Sequence, residues 1–231
     1  MGAVPLVIAS RYNGPAGSGN GGYSAGRFAA ASAPLISTVD GVVEVTLRLP
    51  PPLEVPLTVS ADGEGARITD PDGALVASTR PGELPGAPVP PVGFDEAVLA
   101  SRGYPGFAHH PFPTCFVCGP ERAEGDGLRL FSGRLPDGRT ATPFVPTEVR
   151  PELIWAALDC PGGWAIPLEG RPYVLGRVAA RLDTLPAPGE RCVVMGERTG
   201  EQGRKAFTTT SLYGGDGRLL ATAAATWIAV A

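Results

Sequence analysis

Histidine is nearly missing from this chain: its two copies, His109 and His110, sit side by side. Ser–His–Asp triads and His-rich metal sites therefore have little material, and there is no G-x-S-x-G elbow. Basic residues are also sparse. The 19 Lys plus Arg stand against 23 Asp plus Glu, for a net charge of −4, which argues against nucleic acid as a partner. No apolar run approaches the roughly 18 residues of a membrane span, so no membrane partner is expected. Met1–Ser10 has neither a basic leader nor a long apolar region, so a secretory signal is not expected. Together with free thiols in a C-x-x-C, this favours a reducing cytoplasm as the expected location.

What is abundant is glycine and proline. With 32 and 26 copies they fill a quarter of the 231 residues. That raises disorder as the first hypothesis, but disorder also needs few apolar residues and a high net charge. Hydrophobic residues make up 43% of this chain, which excludes it for the chain as a whole. The glycines have no period of three, which excludes collagen. The length suits one large domain or two of about 110 residues.

Strand signals dominate. Val43, Val45, Leu47 and Leu49 alternate with Glu44, Thr46 and Arg48, the period-two pattern of a half-buried strand. Leu57–Ser60 follows the turn Pro50-Pro51-Pro52. Ala66–Thr69 and Ala74–Arg80 flank Asp70-Pro71-Asp72-Gly73, a hairpin turn. In the second half Val174–Asp183, Arg191–Thr199, Ala206–Tyr213 and Leu219–Val230 read as strands, the last two joined by Gly214-Gly215-Asp216-Gly217. Strands linked by such turns imply antiparallel sheet.

Helical material is scarce. Pro151–Cys160 carries Leu153, Ile154, Ala157 and Leu158 on one face with proline in its first turn; Pro161 should kink or end it, with extension through Gly162–Ile166 as the alternative. Gly21–Ser32 is a weaker helix, rich in small residues, with Ser18 or Asn20 as its cap. Between the halves, Pro81–Pro113 holds eight prolines and reads as a linker with a short helix at Asp95–Ser101. Extended segments at Leu6–Ser10, Leu128–Phe131 and Arg139–Phe144 precede the two main helices. Each half thus offers one helix followed by about four antiparallel strands, two copies of one unit.

One helix wrapped by an antiparallel sheet, twice in one chain, resembles a double hotdog. Gly19-Asn20-Gly21-Gly22-Tyr23 resembles the helix-opening segment of small hotdog thioesterases, with Asn20 where that segment often has histidine. Val149–Asp159 resembles their carboxylate-bearing central helix, and Leu219–Val230 their last strand. Pro-Thr-Cys-Phe-Val-Cys-Gly-Pro between the halves is similar to a group of actinobacterial thioesterase-like proteins. The resemblance covers nearly the whole chain outside Pro81–Pro113. It implies an α+β fold with two antiparallel sheets, each wrapping one central helix. The units would be a repeat at 1–84, a Pro-rich linker at 85–112 and a second repeat at 113–231.

Thioester hydrolysis needs N–H donors aimed at the developing oxyanion and a group that activates water. Gly21 and Gly22 open a helix, whose first amides are free, and without side chains they admit close approach of a carbonyl. Asp159 is the one carboxylate within either main helix candidate beyond the first turn of the second, and apolar neighbours should raise its pKa. The resemblance implies a composite site between repeats, with Asp159 as base or nucleophile and the Gly21/Gly22 amides as oxyanion hole. No carboxylate occurs in Gly21–Ser32, so one working site and one degenerate site are expected. Asn20 joins the catalytic set. Asn13, Tyr23, Ser24, Trp155 and Trp164 are substrate-binding candidates, although turn or packing roles suit each of them. Arg171, Arg177, Arg181, Arg204 and Lys205 are scattered and read as solvated surface rather than a coenzyme A phosphate site.

Cys115-Phe116-Val117-Cys118 is open to three readings: half a zinc knuckle completed by His110 or Cys160, a redox pair, or free thiols in a turn. Without a second C-x-x-C or a βαβ setting, the turn is preferred, and no metal or cofactor is expected. Cys192, in an alternating strand, reads as core. The expectation is a homo-oligomeric hydrolase of acyl-CoA or acyl-carrier-protein thioesters. The alternative is a non-catalytic binder of acyl or lipid-like ligands, and a hydratase ranks last for want of a helical histidine.

Overall fold

The computed structural model of this chain describes residues 6–168 and 170–230. Part of the segment read for a leader, Met1–Pro5, lies outside the described residues. The helices are α1 (Gly21–Ser32), α2 (Phe94–Ser101) and α3 (Pro151–Gly163). The strands of the first half are β1 (Val43–Leu47), β2 (Thr58–Asp62), β3 (Gly65–Thr69) and β4 (Leu75–Pro81). Those of the second are β5 (Gly133–Arg134), β6 (Thr140–Phe144), β7 (Tyr173–Leu182), β8 (Cys192–Gln202), β9 (Lys205–Tyr213) and β10 (Leu219–Ala229).

These strands form one antiparallel sheet in the order β2-β3-β4-β1-β7-β10-β9-β8-β6-β5. The expectation of two sheets is corrected at β1. Its outer edge pairs with β7 from Val43↔Ala180 to Thr46↔Arg177, so the halves share a ladder. An exposed edge on each half would leave a row of backbone donors and acceptors unpaired, and joining them satisfies both.

The turn chemistry behaves as expected. Asp70 Oδ1 accepts the amides of Asp72 (3.0 Å) and Ala74 (2.8 Å), and Gly73 takes φ +83° to close the β3–β4 hairpin. The glycine-rich turn between β9 and β10 is closed by Gly217 N–H on Gly214 C=O at 2.9 Å. Leu128–Phe131 is not a strand. It runs beside the cysteine loop instead, Leu128 N–H on Phe116 C=O and Leu130 N–H on Val117 C=O, both 2.8 Å.

Residues 85–112 are more than a linker. β8 begins with five consecutive buried residues, Cys192–Gly196, a run covered on both faces. Cys192 and Val194 point into the main core under α3, while Val193 and Met195 join a second core with Val89 and Ala97. The proline-rich segment is that second cover. Val89 N–H donates to Ser211 Oγ (3.0 Å), and its carbonyl accepts from Tyr213 Oη (2.8 Å).

Helix α3 runs two residues beyond Pro161 rather than ending there. Pro161 removes one donor from the helix, but tertiary bonds hold the last turn. Thr140 Oγ1 donates to Pro161 C=O at 2.7 Å, and Gly196 lies against the same carbonyl with no room for a Cβ. Thr140→Val should cost about 1–2 kcal/mol by stranding that buried acceptor. That is a fall of about 2–8 °C in Tm for a chain of this size, read by thermal denaturation. An unchanged Tm would show that the Thr140 bond does not hold the turn.

Helices α1 and α3 lie against each other on the sheet, antiparallel. Gly22 of α1 meets Trp155 and Asp159, whereas Gly26, one turn on, meets Glu152 and Trp155. A Cβ at Gly26 would sit 2.7 Å from Glu152 Cα and 2.8 Å from Trp155 Cβ. Two glycines four apart thus let two helix backbones approach closely. Phe28, Ile154 and Leu158 fill the space between the helices and the sheet, each almost fully buried.

Candidate active site

The helix contact puts a carboxylate on a helix N-terminus. Trp155 and Asp159, four residues apart on α3, share the face that meets α1. Because Gly22 has no side chain, the Asp159 carboxylate reaches its backbone, and Oδ2 accepts the Gly22 N–H at 2.9 Å. Asn20 caps α1, its Oδ1 accepting the Tyr23 N–H at 2.8 Å, and its Nδ2 donates to the same Asp159 oxygen at 3.2 Å. An aspartate near its own helix C-terminus is badly placed, but here it serves the N-terminus of the neighbouring helix. Asp159 Oδ1 is buried with no hydrogen-bond partner among the described residues. Burial raises the Asp159 pKa to about 7. The Gly22 amide opposes the rise, the neighbouring Cys115 adds to it, and Asn20 opposes it.

The cysteine loop closes over this carboxylate. Its tight turn is tied by Gly119 N–H on Cys115 C=O (2.9 Å) and joined to the first half by Phe116 N–H on Asn13 C=O (2.8 Å). Cys115 Sγ lies 3.9 Å from Cys160 Sγ, and Asn20 Nδ2 lies 3.8 Å and 3.9 Å from those two sulfurs. Hydrogen bonds from Cys118, then Cys160, and the Cys118 and Val117 amides hold the Cys115 thiol well below the ordinary thiol range, against burial. His110 Nε2 lies 3.3 Å from Cys118 Sγ, and its Nδ1 accepts the Phe112 N–H at 2.8 Å. Burial lowers the pKa of His110.

A cavity of about 660 Å³ opens onto both groups. Its walls are the loop 14–21, the end of β1 with Leu49–Pro51, His110–Phe112, the start of β7 and the end of β10. Asn20, Gly21, Cys115, Cys118, Asp159, Cys160 and Trp164 also line it. Most of the wall is apolar, the composition of a small-molecule site with a few polar groups at one end.

No protein-family profile and no curated protein sequence matches the chain. Solved structures do. A conserved hot dog fold protein of unknown function from Alicyclobacillus acidocaldarius superposes with a TM-score of 0.61 at 14% identity, over 97% of this chain and 91% of that one. The chain has the hotdog fold. A candidate thioesterase from Novosphingobium aromaticivorans gives a TM-score of 0.61 at 18% identity, over 99% of this chain and all of the other. A candidate thioesterase II from Thermobifida fusca gives 0.58 at 12% identity, over 96% and 91%. Among the described residues no helix is long and apolar enough to cross a membrane.

On this hotdog, the sequence candidates separate. Asn20, Gly21, Asp159 and Trp164 line the cavity. Gly22 touches Asp159 but does not line it, and its N–H is committed to the carboxylate rather than to a ligand carbonyl. Asp159 and Gly22 therefore do not face each other across a substrate. They are in direct contact, because the helices pack backbone to side chain at the glycine. Tyr23 stacks on Tyr12 with ring centroids 3.8 Å apart and is core. Ser24 is fully buried, and Trp155 is wedged against Gly26. Asn13 braces a loop, donating to Thr114 Oγ1 (3.1 Å) and accepting from Arg122. None of these four reaches the cavity. Sequence reasoning underweighted Cys115, Cys118, Cys160 and His110 as lining residues. The signals were the C-x-x-C and a cysteine directly after the aspartate.

Proposed function

We propose that this chain hydrolyses an acyl thioester bound in the 660 Å³ cavity, with Asp159 activating water. The observation that carries it is a buried carboxylate among the lining residues of a mostly apolar cavity, one oxygen anchored by two N–H donors and the other unpartnered. Oδ1 would take a proton from water as the water oxygen bonds to the thioester carbon. The C–S bond then breaks, and the leaving thiolate takes that proton back from Asp159, giving a carboxylic acid and a free thiol. Gly21, in the first turn of α1 and on the cavity wall, is the oxyanion donor in this reading. Asn20 holds the base in place. The two helices on their joined sheet are taken as two hotdog units, of which only this pairing carries a carboxylate. The likeness to candidate thioesterases supports the reaction class at the level of fold.

The non-catalytic alternative has one observation in its favour, since Gly22 N–H is already satisfied by Asp159. A thiol-release assay across acyl-CoAs of graded chain length separates the readings. Turnover with a preferred acyl length is the expected result. Saturable binding without thiol release would replace the hydrolase by the binder.

A further inference from the structure

We propose that Cys115, Cys118 and Cys160 bind one zinc ion as three thiolate ligands, with the fourth coordination position open to the cavity. The site stands independently of the thioesterase reading, and it revises the expectation of a metal-free turn.

The spacing is that of a ligand set. The three Sγ atoms lie within 4.8 Å of one another, and Cys115 and Cys160 are 3.9 Å apart. Tetrahedral zinc with bonds of about 2.3 Å to sulfur places sulfurs about 3.8 Å from each other. The loop is built for it. Gly119 follows the second cysteine of the pair where a Cβ would strike the Cys115 backbone at 2.5 Å, so the turn stays tight and both sulfurs point one way.

Buried thiols alone behave as small apolar groups. Here polar N–H groups face them. Asn20 Nδ2 approaches Cys115 and Cys160 at 3.8 Å and 3.9 Å, and His110 Nε2 approaches Cys118 at 3.3 Å. Because His110 Nδ1 accepts the Phe112 amide, the neutral ring carries its proton on Nε2 and donates it to sulfur. His110 is thus an outer donor that steadies a thiolate rather than a ligand. Trp164 holds the ring edge-on, centroids 5.1 Å apart. Three thiolates suit zinc among the common divalent ions, and a three-ligand set leaves one position for water or a bound molecule. All three cysteines line the cavity, so that position opens beside Asp159.

The test is elemental analysis of full-length protein purified without chelators or metal-affinity resin. About one zinc per chain is expected, falling below about a tenth in Cys118→Ser and in Cys160→Ser. Cys192→Ser, on β8, should keep its zinc. His110→Ala should also keep it, with affinity about 10–100-fold lower in competition with a chromophoric chelator. Should a cysteine variant fail to fold, reconstitution of the reduced wild-type chain with cobalt decides instead. Stoichiometric uptake with thiolate-to-cobalt charge-transfer absorption supports the site. Absence of uptake by the fully reduced protein, or uptake unaffected by Cys118→Ser, overturns it.

Discussion

Asp159→Asn should lower thioester turnover by about 10²–10⁴-fold, the usual contribution of a positioned acid–base group. The substitution is close to isosteric, which makes it informative. The introduced carboxamide can turn its carbonyl oxygen to the Gly22 amide and Asn20 Nδ2, preserving both anchoring bonds of 2.9 Å and 3.2 Å. Its amide nitrogen then occupies the unpartnered Oδ1 position, where it cannot accept a proton from water. The loss should fall on kcat, with KM within a few-fold, because the apolar cavity wall is untouched. The fold should survive, since removing a buried charge relieves desolvation as it removes charge-assisted bonds. Asp159→Ala would differ by leaving the Gly22 amide without an acceptor and Asn20 Nδ2 with only the Cys115 and Cys160 sulfurs, at about 1–3 kcal/mol for the stranded amide. Full activity in Asp159→Asn, with an unchanged circular dichroism spectrum, would eliminate the base.

The second large effect is on stability. Gly26→Ala should destabilise the chain although alanine is the better helix former by about 1 kcal/mol. The added Cβ would stand 2.7 Å from Glu152 Cα and 2.8 Å from Trp155 Cβ, and neither atom can rotate aside. The helices must part, which loosens the packing around Phe28 and Ile154, both fully buried. Overpacking costs about 1–3 kcal/mol, and the backbone movement needed here puts the cost in the upper part of that range, so after the helix gain the net loss for alanine is about 1–2 kcal/mol. Gly26→Val adds two further carbons and a β-branch, and should lose about 3 kcal/mol or more, roughly 6–12 °C in Tm. The same wedge lengthens the Gly22–Asp159 contact, so turnover should fall with stability. A Gly26→Ala protein with a raised Tm would show that the helices have slack at this crossing.

Much of the local structure was legible. The small-residue helix at Gly21–Ser32 and the hairpin at Asp70–Gly73 follow from capping and turn chemistry that act over a few residues. The helix at Asp95–Ser101 is one residue short of α2, and Val43, Val45 and Leu47 face the core as expected, whereas Leu49 lies beyond β1 and is exposed. Asp159 was singled out because a carboxylate amid apolar residues near a helix end has no comfortable solitary role. Its partner is half legible: the glycines read as a carbonyl-binding turn rather than as the packing contact they make. The role of the four-residue step from Gly22 to Gly26 in packing the helices depends on the partner helix and is not legible locally.

By itself the sequence determined most of the elements, their order, the antiparallel character of the sheet and the residue types available for chemistry, since propensity, periodicity and turn residues are local. Only the tertiary structure decided which edges meet and what the middle of the molecule contains. Pairing of β1 with β7 turned two sheets into one, and the need to cover Val193 and Met195 turned a proline-rich linker into a packed layer. Cys160 lies 45 residues from Cys115 and Asp159 lies 137 from Gly22, so their contacts depend on how two helices and a loop are brought together by burial. No local pattern carries that distance.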